Sequence, residues 1–343
     1  MSRFVLTLFF LFLTSLSATA DVSPAVQAIA PYLVRIETIG GHERVNTASD
    51  RRERAEILLA NDGTTTGILL DQEGYVITAA FNFLHDPASI LLIFPDGTKK
   101  VAHKIATDRL RMLTLLKAYD FRANDIAPLP FRSKASLRIG ERCIAVGSVF
   151  AGRRERDETL PREANVALGI ISGKDRIWGK ALQTDAAIGP NNYGGLLIDR
   201  DGNALGIPVP LSMTEQNIIA GADMYDAGVG LAIPWEDMLA VLPKLKEGKD
   251  LLPGTFGFGF RDNQTFVGEP VISRVRPGSP AANSGLQPGD RIISIDGISM
   301  PTALAVTKYL RQRYADETLL VTFLRDEVEQ TVSLPEPAME GAP

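Results

Sequence analysis

The chain has 343 residues, 45% of them hydrophobic, and 36 Lys and Arg against 41 Asp and Glu give a formal net charge of −5. That length accommodates two or three domains with separate cores. Mild acidity without a basic stripe excludes nucleic acid as the expected partner, and a single cysteine, Cys143, excludes an intrachain disulfide.

Residues 1–20 read as a secretory signal. Arg3 is the positive head, Phe4–Leu16 the apolar run, and Ala18-Thr19-Ala20 the small-residue cleavage site. The run is shorter than the roughly 20 residues a membrane-spanning helix needs. Cleavage after Ala20 and export to the periplasm or the medium are therefore expected, with no stable membrane span. Glu43–Glu56 mixes both charge signs and reads as a solvated loop.

From Thr66 to Val209 the pattern is one of short strands separated by turns. Gly67–Leu70 and Tyr75–Thr78 flank Asp71–Gly74, and Ile90–Phe94 meets the turn Pro95–Gly97 before Lys99–Ile105. Met112–Lys117, Arg142–Gly147, Val166–Ser172, Leu196–Asp199 and Ala204–Val209 continue the series. No helical pattern alternates with them, which predicts an all-β barrel or sandwich. Cys143 opens the apolar run Cys143–Val146, where an inert core thiol is expected rather than a nucleophile.

A helix is predicted over Trp235–Glu247, with Met238, Leu239, Leu242 and Leu245 on one face and Pro243 expected to kink or shorten it. Asp250–Gly254 reads as a linker. Beyond it lies a compact mixed unit with strands at Phe256–Phe260, Val271–Val275, Arg291–Ile295 and Leu319–Leu324, a short helix after Ser279-Pro280, and a helix over Thr302–Tyr314. Residues 336–343 read as a disordered tail.

Several of these segments resemble, in order, one family. Gly67–Thr78 is similar to the strand pair that leads to a catalytic histidine, and Thr107-Asp108 with Leu113–Lys117 to the segment bearing a catalytic aspartate. Gly169–Ser172 resembles a G-I-V-S strand. Thr184–Gly195 resembles T-D-A-A-I-N-P-G-N-S-G-G, the nucleophile loop, and Gly228–Pro234 resembles G-I-G-F-A-I-P. The family is the trypsin-like proteases of the HtrA/Deg type. The resemblance implies a mainly β fold: a trypsin-like double β-barrel over residues 21–250, then one α+β PDZ domain over residues 255–335.

Carried over position by position, the family's histidine falls at Phe81, its aspartate at Met112 and its serine at Tyr193. The oxyanion-loop glycine falls at Asn191. The triad chemistry needs a hydroxyl, an imidazole and a carboxylate; phenylalanine and methionine supply neither base nor carboxylate. The resemblance thus implies a degenerate triad, and the expectation is that the chain is not an enzyme. Phe81, Met112 and Tyr193 are expected to pack together. His85, Asp108, Ser172 and Ser212 lack the context to rebuild the site, and His42 and His103 look ordinary. No metal site and no cofactor are expected.

Arg276–Asp290, followed by Ile292–Gly297, is similar to the PDZ signature P-G-S-P-A-A-x-x-G-L-x-x-G-D-x-I. PDZ domains take an extended peptide as an added strand and hold its terminal carboxylate on backbone N–H groups. The resemblance places that function on Phe256, Gly257, Phe258, Gly259 and Phe260, with Leu304, Ala305 and Lys308 on the opposite wall. The phenylalanines either wall the groove or belong to the core. Two functional readings follow. One is a non-catalytic exported scaffold, regulator or holdase binding protein C-termini, as a homo-oligomer or with active HtrA-type proteases. The other is an active serine endopeptidase with a rearranged site.

Overall fold

The computed structural model describes residues 23–39, 63–83, 87–122, 126–147, 164–189, 192–211, 228–261 and 268–335. The signal segment 1–20, the stretch Glu43–Glu56, the tail 336–343, and His42, His85, Asn191 and Ser212 lie outside these residues.

After a short helix, α1 (Ser23–Ile29), the chain forms β1 (Leu33–Ile39), β2 (Gly63–Leu69), β3 (Tyr75–Ala79), β4 (Ser89–Ile93), β5 (Lys99–Asp108) and β6 (Leu113–Ala118). These close into an antiparallel barrel in the order β1-β2-β3-β6-β5-β4. Closure satisfies every strand edge within the fold. The β2–β3 turn is set by Asp71, whose carboxylate accepts the backbone N–H groups of Glu73 and Tyr75.

A second barrel follows, from β7 (Arg142–Gly147), β8 (Asn165–Asp175), β9 (Ala181–Thr184), β10 (Leu196–Ile198), β11 (Ala204–Pro208) and β12 (Gly230–Pro234), in the order β10-β11-β12-β9-β8-β7. One apolar core includes Ile68, Ile77 and Leu113 from the first barrel and Val146, Leu196 and Ile207 from the second. Burying these side chains together contributes on the order of 1.5–3 kcal/mol each. Cys143 is buried, and burial pushes its thiol up to about 11.

The closing helix, α2, runs Trp235–Lys246 with Trp235, Met238, Val241 and Leu245 buried. Pro243 lies within this helix and does not shorten it. It sits exposed near the last turn, where the carbonyl it strands can meet water.

The C-terminal unit has its own core, built on Phe256, Phe260, Ile292, Val306 and Phe323. Its strands are β13 (Phe258–Gly259) paired with β14 (Arg274–Val275), and a four-stranded sheet of β16 (Ile298–Ser299), β15 (Arg291–Ile295), β17 (Leu319–Arg325) and β18 (Val328–Leu334). The Ser279 hydroxyl caps α3 (Pro280–Asn283) by accepting from Ala282 N–H, and the Thr302 hydroxyl caps α4 (Ala303–Leu310) from Ala305 N–H. The predicted helix to Tyr314 therefore stops four residues early. Gly254 N–H donates to the Arg313 carbonyl and Ala315 N–H to that of Leu252, which pulls the chain out of helical geometry and pairs Tyr314 with Pro253. Asp250–Gly254 is accordingly bonded on both sides. Leu251 is buried and bridges in parallel to Asp108. Among the described residues no helix is long and apolar enough to cross a membrane.

Candidate functional site

Phe81 stands in a 3-10 turn, Ala80–Phe83, at the end of β3, and Tyr193 stands in the loop entering β10. The fold brings their rings to 5.7 Å between centroids, tilted by 59°. Tyr193 is 1% exposed; Phe81 and Met112 are partly buried and pack against the core that contains it. Met112 occupies the turn before β6 with φ of 57°, and its carbonyl accepts the N–H of Ala80, the residue before Phe81. Phe81 and Tyr193 thus meet at the seam of the barrels, and the main chain of Met112 is bonded to the residue before Phe81.

The loop around Tyr193 is held by both barrels. Its carbonyl accepts the Thr65 hydroxyl at 3.0 Å, and Gly194 N–H donates to the Pro208 carbonyl at 2.9 Å. Gly194 has φ of 74°, and a Cβ there would lie 2.7 Å from Ala79 N and closer still to the Thr66 carbonyl. Only glycine fits that combination of dihedral and contact. Of Phe81, Met112 and Tyr193, Tyr193 alone carries a hydroxyl. The one described histidine, His103, lies on β5 with its ring 4.6 Å from that of Tyr119. Ser172 lies on β8.

The other candidate region is the edge of β13. That strand pairs with β14 alone among the described residues, so its second edge has no strand partner. Gly257 has φ of 84°, and any Cβ there would overlap the Ser279 side chain. Phe256 and Phe260, 4% and 8% exposed, fill the core. Phe258 is half-buried and meets Phe260 edge-on at 6.1 Å. On α4, Leu304 and Ala305 are half-buried and Lys308 is exposed. Of the eight groove candidates, two are therefore core residues and six remain at or near the surface.

Sequence reasoning missed the junction between these regions. The buried Asp108 carboxylate accepts the Tyr314 hydroxyl at 2.5 Å, and the N–H groups of Leu110 and Arg111. The Arg111 guanidinium, 3.7 Å from that carboxylate, also donates to the Tyr314 oxygen. Burial raises the pKa of Asp108, against the opposing pull of Tyr314 and Arg111. Burial, then Asp108, raises that of Tyr314. Lys180 close by is lowered to about 8 by burial, then by Arg311 and Arg111. The turn 176–179 packs on α4, with a Cβ at Gly179 falling 2.8 Å from Lys308 Cε. No sequence signal pairs positions so far apart.

Two closed β-barrels sharing one core, followed by a sheet with a helix-flanked open strand edge, define a trypsin-like double barrel joined to a PDZ domain. The trypsin-like peptidase domain family matches residues 65–207 and the PDZ domain family matches residues 254–335. The chain is homologous to the HtrA/DegS serine proteases. It is 27% identical to serine endoprotease DegS of Escherichia coli K12 over 330 residues, covering 92% of this chain and 85% of the relative. It is 25% identical to serine protease Do-like HtrA of Lactococcus lactis strain MG1363, covering 93% and 83%. Among solved structures, the HtrA-type protease AlgW with tripeptide superposes with a TM-score of 0.68 at 21% identity, over 92% of this chain and 96% of that one.

These relatives correct one expectation. The reading of the chain as not an enzyme rested on three positions, and the proteins it matches along nine-tenths of its length are named serine proteases and endoproteases. A catalytic constellation is defined by geometry and roles, which position-by-position comparison of a sequence does not measure.

Proposed function

We propose that this chain is an exported HtrA-type protein that captures the C-termini of other proteins in its PDZ groove. It holds them as a scaffold, regulator or holdase in protein quality control, as a homo-oligomer or with HtrA-type protease partners. The observation that carries this reading is the edge of β13 that has no strand partner among the described residues, entered through the left-handed Gly257 and carrying Phe258. An extended peptide added there gains main-chain hydrogen bonds, and backbone N–H groups at the strand entrance receive its carboxylate. The HtrA-type protease AlgW, whose structures include one with a tripeptide and one with a decapeptide, supports the analogy. Export rests on residues 1–20, and one relative, from Marinomonas, is named as probably periplasmic.

On this reading Phe81, Met112 and Tyr193 stand where the family's histidine, aspartate and serine stand, and Asn191 where its oxyanion-loop glycine stands. The aromatic pair fills the seam, and a captured chain is held at residues 255–335.

The second reading, endopeptidase action from a rearranged site, is favoured by the names of the relatives. It requires a proton acceptor other than these three side chains; His85 is the nearest imidazole in the sequence.

Two measurements decide. Saturable binding of a fluorescent peptide with a free C-terminus, lost when that terminus is amidated, supports capture; equal binding of both forms refutes it. Digestion of denatured casein, with stoichiometric labelling of a serine by a phosphonate probe, establishes the second reading.

A further inference from the structure

Two arginines without an acidic partner among the described residues stand on and just after β14, the strand paired to β13. Arg274 and Arg276 are exposed, and neither forms an ion pair among the described residues. Together with Gly257, Phe258 and Val275 they line a cavity of about 330 Å³.

Strand alternation explains their placement. Phe258 is paired with Val275, and both pack on the PDZ core. Gly259 is paired with Arg274, so these two share the opposite face. With no side chain at position 259, the Arg274 side chain lies across the strand: a Cβ built on Gly259 would stand 3.0 Å from its Nε and 3.5 Å from an Nη. Arg276, two residues on, is fixed to the strand entrance by its N–H bond to the Gly257 carbonyl at 2.7 Å. The Arg274 guanidinium thus lies on the glycine face of the strand that an incoming peptide would extend, and Arg276 lines the same cavity.

We infer that this PDZ groove selects C-terminal peptides carrying acidic side chains at alternate positions, with Arg274 and Arg276 as the selecting residues. The inference rests on the capture reading above. A peptide added to β13 turns alternate side chains to opposite faces. One set meets Phe258 and α4, and requires apolar groups. The other set meets the two arginines, which offer planar, multiply donating partners to carboxylates. An apolar final residue preceded by glutamate fits both faces, and a lysine in that place meets like charge.

The test uses the full chain and anisotropy titrations of peptides with apolar residues at the last and third-last positions. Glu or Lys occupies the second-last and fourth-last positions. The Glu peptide is expected to bind about tenfold or more tightly than the Lys peptide, less so at high salt. Arg274→Glu with Arg276→Glu reverses that order. Arg274→Lys with Arg276→Lys retains it. Both sites are exposed, so unchanged circular dichroism and melting confirm that each variant is folded. Equal affinity for the Glu and Lys peptides, with amidation still abolishing binding, overturns the charge selection and leaves capture intact. Failure of every free-C-terminus peptide to bind removes both.

Discussion

Tyr314, in the C-terminal domain, donates its hydroxyl hydrogen to the carboxylate of Asp108, which ends a strand of the first barrel 206 positions earlier. The acceptor is fully buried, a costly place for a carboxylate without donors. It is stabilised by three hydrogen bonds, two of them from its own turn. The third comes from the other domain. The Asp108 turn continues through Arg111, which also donates to Tyr314, into Met112, so the PDZ domain is fastened to the residue next to Met112.

Removing the hydroxyl alone should therefore weaken the junction without opening a cavity. Tyr314→Phe is expected to destabilise the protein by about 1–3 kcal/mol, the cost of leaving a buried acceptor short of a donor. Trp178 reports on this surface, lying beneath Arg311 at 5.9 Å. In urea, the variant's Trp178 fluorescence should change at lower denaturant than the wild type's. An unshifted midpoint would mean that the bond contributes nothing.

Lys180 gives the junction a dependence on pH. Its folded-state pKa is lowered from 10.5 to about 8, by burial first and by Arg311 and Arg111 next. Above the ordinary lysine value both folded and unfolded chains carry it neutral, and it costs nothing. As pH falls from that value to about 8, the unfolded chain takes up the proton first, so stability declines across this window and stays lower below it. Lys180→Met should accordingly raise the melting temperature at pH 7, and the gain should shrink towards pH 10.5. A gain of equal size at both values would place its origin in packing rather than charge.

The strands of both barrels were legible because turns such as Asp71–Gly74 and Pro95–Gly97 bound runs of apolar residues, and local chemistry of that kind is written in neighbouring residues. β1 alternates buried and half-buried positions, yet its barrel role depends on β2 and β4, which no local pattern states. β9 is too short to display a period. In the PDZ domain the motif located the strand but not the inward turn of Phe256 and Phe260, because three phenylalanines spaced two apart look alike until the core is assembled. The sequence pattern predicts Tyr314 as the end of a helix. Its hydrogen bond to Asp108 is a tertiary fact that overrides helical propensity.

Gly194 and Gly228 have similar left-handed dihedrals, φ of 74° and 68°, but different surroundings. A Cβ on Gly228 meets nothing within 4 Å, whereas one on Gly194 runs into backbone atoms of Thr66 and Ala79. Gly228→Ala should cost about 1 kcal/mol, the strain of the dihedral alone. Gly194→Ala should cost at least about 2–3 kcal/mol, because main chain on both sides cannot yield. Thermal melts of the two variants check the order; equal losses would mean that the loop is looser than its contacts imply.

The pairing of Phe81 with Tyr193 can be measured as an energy, independently of any activity. Tyr193 is buried at the seam, so Tyr193→Ala should leave a cavity and cost about 3–5 kcal/mol. Phe81 is more exposed and should cost less on truncation to Ala. Rings 5.7 Å apart in a tilted arrangement attract beyond their buried area by about 0.5–1.5 kcal/mol. The double variant should then be less destabilised than the two single losses combined, by about that amount. Strict additivity in urea unfolding would show that the rings are neighbours without being partners. In that case the seam would be held by the Thr65 and Pro208 hydrogen bonds and by the burial of Tyr193, each independently of Phe81.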